Sequence, residues 1–485
     1  MEAARRIFGG YALLVLLCVG VGIATEAYWL VAVPVLGAVI YRALTNFRPL
    51  FWLMIVMIPL GTELFLPGGI GTDVPTEPLA IGLTGILLIH LLNGWPDYRQ
   101  RYFLHPAALL VYAHVAWVWL ASLGSELPVI SLKFSLAKGW YVGAFFLVPL
   151  LLLRTPGRVR TFAHCLIWPL VFVALQTLVR HAAYGFSFAD QFRTMSPFMR
   201  NHISYAGCLA AAAPWLVYLA YAALREKRAG AGWSLGGSRL MWGGLFLLWV
   251  VAIYFSYTRA AMVSLVLIGI AYWAIRQRLL RLGLVVGLLA GIGVTVYLLQ
   301  DNRFLEYAPN YDTTISHENF DNLISATYKL EDVSTMERFY RWVAGGNMVP
   351  VHPWIGWGPG TFVERYKGYT VNNFRTYVSD NPERSGVHNY FLMTLIEQGV
   401  VGFLVVLGLM IGVLWYGQGA YHRQPDPLAR AAIAAALCSL VVVSAFSIIN
   451  DVLETDKMGS LYFLAVAILV TMDRYRPDSP SPLPK

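Results

Sequence analysis

The sequence predicts an all-α fold: a polytopic transmembrane helical bundle of about 12–14 spans with one large external loop domain containing short helices. Three observations carry the prediction. Of the 485 residues, 58% are hydrophobic and only 13% charged, against about 25% charged in a soluble globular chain. Uncharged runs of about 17–22 residues recur along the chain, the length a bilayer demands of a helix. Lys and Arg then fall into alternate loops between those runs, as the positive-inside rule requires.

The expected spans begin with 8–24, 27–43, 49–64 and 78–94. They continue with 106–123, 131–153, 161–180 and 203–223, and then 240–256, 258–275, 282–299, 387–416, 430–449 and 458–472. Residues 1–24 lack a small-residue cleavage site and run straight into the next span, so they are expected to be a retained helix. This divides the chain into N-terminal transmembrane helices (1–299), a large outer loop (300–386), C-terminal transmembrane helices (387–472) and a cytoplasmic tail (473–485).

Charge tests the topology independently. With the N-terminus inside, the cytoplasmic loops hold Arg5, Arg6, Arg42, Arg48, DYRQR (97–101), RTPGRVR (154–160), REKR (225–228), RQRLLR (276–281), YHRQ (421–424) and DRYR (473–476). The alternate loops PGGIGTDVPTEP (67–78) and GSELP (124–128) hold no Lys or Arg. The net charge of +9 is therefore mostly this inside bias, not a nucleic-acid surface. The four cysteines lie scattered within spans, without a pattern for disulfides or zinc.

Two outer loops break the charge rule. RHAAYGFSFADQFRTMSPFMRNH (180–202) carries Arg193 and Arg200, and the loop 300–386 carries Lys329, Arg338, Arg341, Arg365, Lys367, Arg375 and Arg384. Long loops translocate regardless of charge, which permits these residues without explaining them. Basic residues among many aromatics suit an anionic, sugar-bearing ligand, because Arg grips phosphate bidentately. Within the loop, residues from about Thr335 to Val349 read as an amphipathic helix, with Arg338 and Trp342 four apart, as are Met336 and Tyr340. His352-Pro353 ends that helix. GWGPG (356–360) reads as a turn and not as a phosphate-binding loop, since Pro359 has no N–H and no strand precedes it.

The order ERFYRW…HPWIGWGPGTF…VHNYFLMTLIEQGVVG, with FSYTRAAMVS (255–264) upstream, resembles the signature region of the O-antigen ligase and O-antigen polymerase superfamily. The motif-bearing part spans roughly 250–405; the earlier helices resemble the family only in hydropathy. The chain departs from the family's pattern at RNHISYAG (200–207). The resemblance implies a metal-independent, inverting glycosyl transfer at the periplasmic face of the bacterial inner membrane. It implies a donor glycan on undecaprenyl diphosphate, an acceptor hydroxyl such as that of lipid A-core, a histidine acting on the acceptor, arginines on the diphosphate, and no cofactor.

The residues support this reading in their own terms. A sugar diphosphate already contains a good leaving group, so an enzyme must add charge stabilisation and a base. No Asp-x-Asp pair or metal-ligand spacing occurs in the outer loops, so the positive charge is expected from Arg and Lys. His388, where the long loop meets the next span, is the expected base, its ordinary pKa near neutrality suiting that role. Arg259, in an apolar stretch where a charge is expensive, and Arg338, inside the motif, are the expected diphosphate ligands. Arg341, Arg200 and Lys138 are further candidates for that ligand set, Lys138 lying in the outer half of its span. Asn389 is expected to support His388 or to cap the helix. Glu397, nine residues beyond His388, falls on roughly the opposite helical face and is left outside the catalytic set.

Ligase and polymerase share these motifs; the HNY…E.G region is slightly more similar to the ligase branch. The alternative from another class is a transporter without chemistry. It would predict matching halves with broken spans and paired intramembrane charges, but no internal repeat is visible and the unusual charges gather at one face.

Overall fold

The structure is a computed structural model that describes residues 2–25, 45–66, 70–93, 102–228, 239–301, 333–370 and 384–477, together with Leu30, Val33, Pro34, Gly37, Tyr41, Arg303 and Asn381. Most of the expected span 27–43, the loop segments holding Lys329 and Arg375, and most of the tail lie outside the described residues.

Every other expected span is a helix. They are α1 (Glu2–Ala24), α2 (Arg48–Leu60), α3 (Thr76–Leu92), α4 (Pro106–Leu123), α5 (Pro128–Leu152), α6 (Pro156–Ala183), α8 (His202–Arg228), α9 (Arg239–Tyr254), α10 (Arg259–Arg276), α11 (Leu280–Leu299), α14 (Tyr390–Arg423), α15 (Pro427–Ile449) and α16 (Asp456–Arg474). Three short helices lie between them: α7 (Gln191–Met195), α12 (Val333–Met348) and α13 (Phe362–Arg365). Among the described residues, 8 helices are long and apolar enough to cross a membrane, and the protein is an integral membrane protein.

Local chemistry sets the span starts. α4, α6 and α15 each begin with Pro behind a side chain that accepts a backbone N–H: His105 from Ala107, Thr155 from Arg158, and Asp426 from Ala429. Proline costs nothing at that position because its missing N–H would be an orphan. α8 packs on α15, and both helices carry small buried side chains, Ala206, Ala210 and Ala213 on one and Ala432, Ala435 and Ala436 on the other. Small residues bring membrane helices close where no hydrophobic drive between them exists.

One expectation is corrected. The stretch after α2 does not continue as helix to residue 64: Gly61 is extended, and Thr62–Leu66 pairs antiparallel with Ile70–Val74 as a hairpin, β1–β2. Lys457 Nζ fixes the turn by donating to the carbonyls of Ile58 (3.1 Å) and Gly61 (2.9 Å), which satisfies carbonyls that would otherwise be stranded at the helix end.

The helix polarities separate two ends of the bundle. At one end lie the hairpin, the start of α8 and α10, the α12–α13 loop, and the connection between α15 and α16. The other end gathers Arg154, Arg158, Arg276, Arg281, Arg423 and Arg474.

Candidate active site

α14 positions the site, and it is broken. Gly399 has φ 70° and ψ −174°, a conformation essentially reserved for glycine. The break releases backbone groups that the turn of HPWIGWGPGTF then uses. Trp357 N donates to Ile396 O at 3.1 Å, Gly358 N to Glu397 O at 2.8 Å, and Val400 N to Pro353 O at 2.8 Å. Trp117 Nε1 takes the carbonyl of Gln398 at 3.0 Å. At membrane depth an unpaired carbonyl is costly, so this turn is what makes the break tolerable. A Cβ at Gly399 would lie 2.2 Å from Trp354 C and O, and one at Gly356 would lie 2.3 Å from Glu397 C. The two motif segments are thus one interlocked unit.

Glu397 completes the lock. Its buried carboxylate accepts from Gly360 N (2.8 Å) and Phe362 N (3.0 Å). The amides of the glycine-rich turn are thus taken by a carboxyl group of the chain itself, that of Glu397. As the helical geometry predicts, it does not pair with His388.

His388 lies just before α14 in the left-handed region, φ 57°, which is uncommon for a residue with a Cβ. Its N–H donates to Asp451 Oδ2 at 2.9 Å, and the N–H of Asn389 donates to the same carboxyl group. Gly386 is required there, since a Cβ would come within 2.5 Å of Asp451 Oδ2. The Asn389 side chain caps α14 by accepting from Leu392 N at 2.9 Å. The His388 ring is hydrogen-bonded to Asn450.

Arginines supply the electrostatics. Burial first, then Arg341 and Arg338, push the His388 pKa down to about 3, well below the near-neutral value expected from the sequence, so the imidazole is neutral at physiological pH. Burial pushes Asp451 up to about 6, although the N–H groups of His388 and Asn389 and the Arg341 guanidinium pull the other way. Arg341 is 1% exposed, and its Nε and Nη2 have no hydrogen-bond partner among the described residues. A buried guanidinium with empty donors is expensive and presents a fork for an anion. Both arginines sit on α12, which is tied to the site by Trp342 Nε1 donating to Val387 O at 3.1 Å.

Arg338 also acts on His202, the first residue of α8, and Thr258 Oγ1 donates to His202 O at 3.3 Å. Because Thr258 precedes α10, Arg259 opens that helix at the same end of the bundle. The structure thus brings Arg338 and Arg341 to His388, while Arg259 starts α10 next to Thr258, whose hydroxyl reaches His202. Two other candidates pair with carboxylates. Lys138 Nζ is buried and donates to both oxygens of Glu454, at 2.7 and 2.6 Å. Arg200 is largely exposed and lies 3.7 Å from Glu63 on β1.

The residues missed from sequence are those of the α15–α16 connection, Asn450, Asp451 and Glu454. Glu454 accepts from Tyr390 OH at 2.9 Å as well as from Lys138, and with Glu77, Phe134, Asp456 and Phe463 it lines a cavity of about 120 Å³. The signal was the run NDVLETD (450–456), five polar or acidic residues in a short connection between apolar spans. Among the described residues, no group of three or more His, Cys, Asp or Glu side chains is arranged to hold a metal ion.

A membrane helix broken at Gly399, the His388 imidazole at its start and the buried Arg341 beside it make up the candidate site of an integral membrane protein. Comparison with known proteins bears on one part of the chain. Residues 244–407, from α9 to the middle of α14, match the O-antigen ligase family. That segment is similar to membrane enzymes of the O-antigen ligase/polymerase type. A comparison with curated proteins finds no match. The matched segment contains Arg259, Arg338, Arg341, His388 and Asn389; Lys138, Arg200 and Asp451 lie outside it.

Proposed function

We propose that the protein transfers a glycan from an undecaprenyl-diphosphate carrier to an acceptor hydroxyl at the periplasmic face of the inner membrane, as an O-antigen ligase with lipid A-core as acceptor. The observation that carries this reading is Arg341, a fully buried guanidinium with unfilled donors beside the neutral His388 imidazole. Both lie within the matched family segment.

In this reaction the His388 imidazole takes the proton of the acceptor hydroxyl. The acceptor oxygen forms the new bond to the anomeric carbon from the face opposite the diphosphate, and the anomeric C–O bond to the diphosphate breaks. The electron pair leaves with undecaprenyl diphosphate, whose negative charge Arg341, Arg338 and Arg259 receive. Preformed charge of this kind acts most strongly in a site that excludes water. The configuration inverts, no metal is needed, and the imidazolium returns its proton to water. Asp451 holds His388 in its left-handed backbone so that the ring faces the acceptor. Lys138 and Glu454 belong to the scaffold beneath.

The test is transfer by purified protein supplied with lipid-linked glycan and separate acceptors, in the presence and absence of EDTA. Transfer to lipid A-core that survives EDTA supports the proposal. Extension of one lipid-linked glycan by another would reassign the protein as a polymerase, and loss of activity with EDTA would refute the metal-free mechanism.

A further inference from the structure

A second cavity opens at the opposite, basic end of the bundle, with a volume of about 360 Å³. That size falls within the range of about 300–1,000 Å³ typical of small-ligand sites. It lies between the last turns of α14 and α16 and the start of α4, lined by His105, Tyr416, Arg423, Asp473, Arg474 and Arg476. Asp473 is committed. Its Oδ1 and Oδ2 accept from Arg423 Nη2 at 3.0 and 3.2 Å, and its Oδ2 lies 3.2 Å from His105 Nε2. Three guanidinium groups and one carboxylate line the walls, and Arg476 Nη1 donates to the carbonyls of Asp473 at 3.0 Å and Tyr475 at 2.7 Å. Arg474 Nε is buried with no hydrogen-bond partner among the described residues, and the Arg423 side chain is 58% exposed.

Aromatic side chains flank the opening. Tyr416 is partly exposed on α14, and beside it Trp415 stacks under Arg281 at 5.0 Å. The positive-inside rule accounts for arginines near this end, but it does not require three of them to converge on one cavity with an unfilled donor. Basic pockets between helix ends, with aromatics at the rim, match the headgroup of an anionic lipid.

We propose that this cavity binds a phosphate-bearing anion, with the phosphate seated between Arg423, Arg474 and Arg476 and Tyr416 against the adjoining apolar part. The shared chemistry is a phosphate group, either on a membrane lipid or free in solution. The site is separate from the mouth around His388 and does not depend on the proposed transfer reaction.

The experiment measures thermal unfolding and bound-lipid mass of the full chain in phosphatidylcholine nanodiscs. These are compared with discs containing phosphatidylglycerol or cardiolipin, and with phosphatidylcholine discs in inorganic phosphate. R474Q/R476Q is the test variant, and R225Q, an exposed arginine at the same end outside the cavity, is the control. Stabilisation by the anionic lipids, retained in R225Q and weakened roughly tenfold in apparent affinity in R474Q/R476Q, supports a lipid site. The same pattern with inorganic phosphate alone supports the anion site with a soluble occupant. Equal responses of wild type and R474Q/R476Q to every anion overturn the proposal. If R474Q/R476Q does not fold, R474Q alone decides in the same way with a smaller loss.

Discussion

The backbone N–H of His388 donates to Asp451 Oδ2 at 2.9 Å, joining residues from the start of one membrane helix and the connection between two others. The left-handed φ of 57° at His388 is sustained by that carboxylate, which also takes the N–H of Asn389. Asp451→Ala would leave both donors unpaired and free the backbone to relax. A displacement of about 1 Å at a reacting group costs on the order of a hundredfold in rate. We expect Asp451→Ala to lower kcat by about that factor with little change in donor KM, and Asp451→Asn, which keeps one acceptor oxygen, to fall between. Steady-state kinetics check this; unchanged kcat in Asp451→Ala would remove its positioning role.

The pKa of His388 gives a second prediction. It is depressed to about 3 by burial and then by Arg341 and Arg338. A group with a depressed pKa contributes stability that is full above its unfolded value of 6.5 and is lost as pH falls through the folded value of about 3. Asp451, raised to about 6, acts in the opposite sense: its contribution is present below 3.8 and is lost as pH rises through about 6. In nitrogen-detected NMR of histidine-labelled protein, the His388 ring should stay neutral from about pH 8 to pH 5. Arg341→Gln should move its titration upward. A wild-type midpoint near 6.5 would contradict the buried, arginine-flanked geometry.

Gly399 is expected to be the least replaceable glycine of the motif. Its backbone angles cost of order 1–3 kcal/mol in any residue with a Cβ, and the added atom would meet Trp354 at 2.2 Å. Gly399→Ala should lower the unfolding temperature and the yield of folded protein. Gly346, whose Cβ would meet nothing within 4 Å, should accept alanine without loss. Equal stability of the two variants would show that the break in α14 is not needed.

Lys138 separates a scaffold role from a ligand role. Removing one partner of a buried ion pair costs about 3–5 kcal/mol, because the other charge is left behind. Lys138→Met should therefore destabilise strongly, and Lys138→Met/Glu454→Gln should recover much of the loss while still binding lipid diphosphate. If the double variant were stable yet unable to bind the donor, Lys138 would be a diphosphate ligand after all.

The membrane architecture was legible in the sequence because the bilayer imposes it. Span length and the Lys/Arg alternation follow from solvation alone, and α4 is observed at Pro106–Leu123, matching the expected span. The hairpin was not legible: TELFL continues the apolar run of α2, and only Gly61 and the reach of Lys457 from α16 turn it into a strand. At the site, residues near the motif were found and those distant from it were not. Asp451 lies 63 positions from His388, and no periodicity links the two. Lys138 and Arg200 looked like candidates because their charges were visible; their partners, Glu454 and Glu63, come from elsewhere in the chain.

The central claim is that His388 performs the proton transfer while the arginines hold the diphosphate. It is tested most directly by measuring glycan transfer and donor binding together in His388→Ala, using purified protein in lipid discs. The account predicts transfer reduced by roughly 10²–10⁴-fold with donor affinity close to wild type. Wild-type transfer by His388→Ala, with the donor bound equally well, would contradict it.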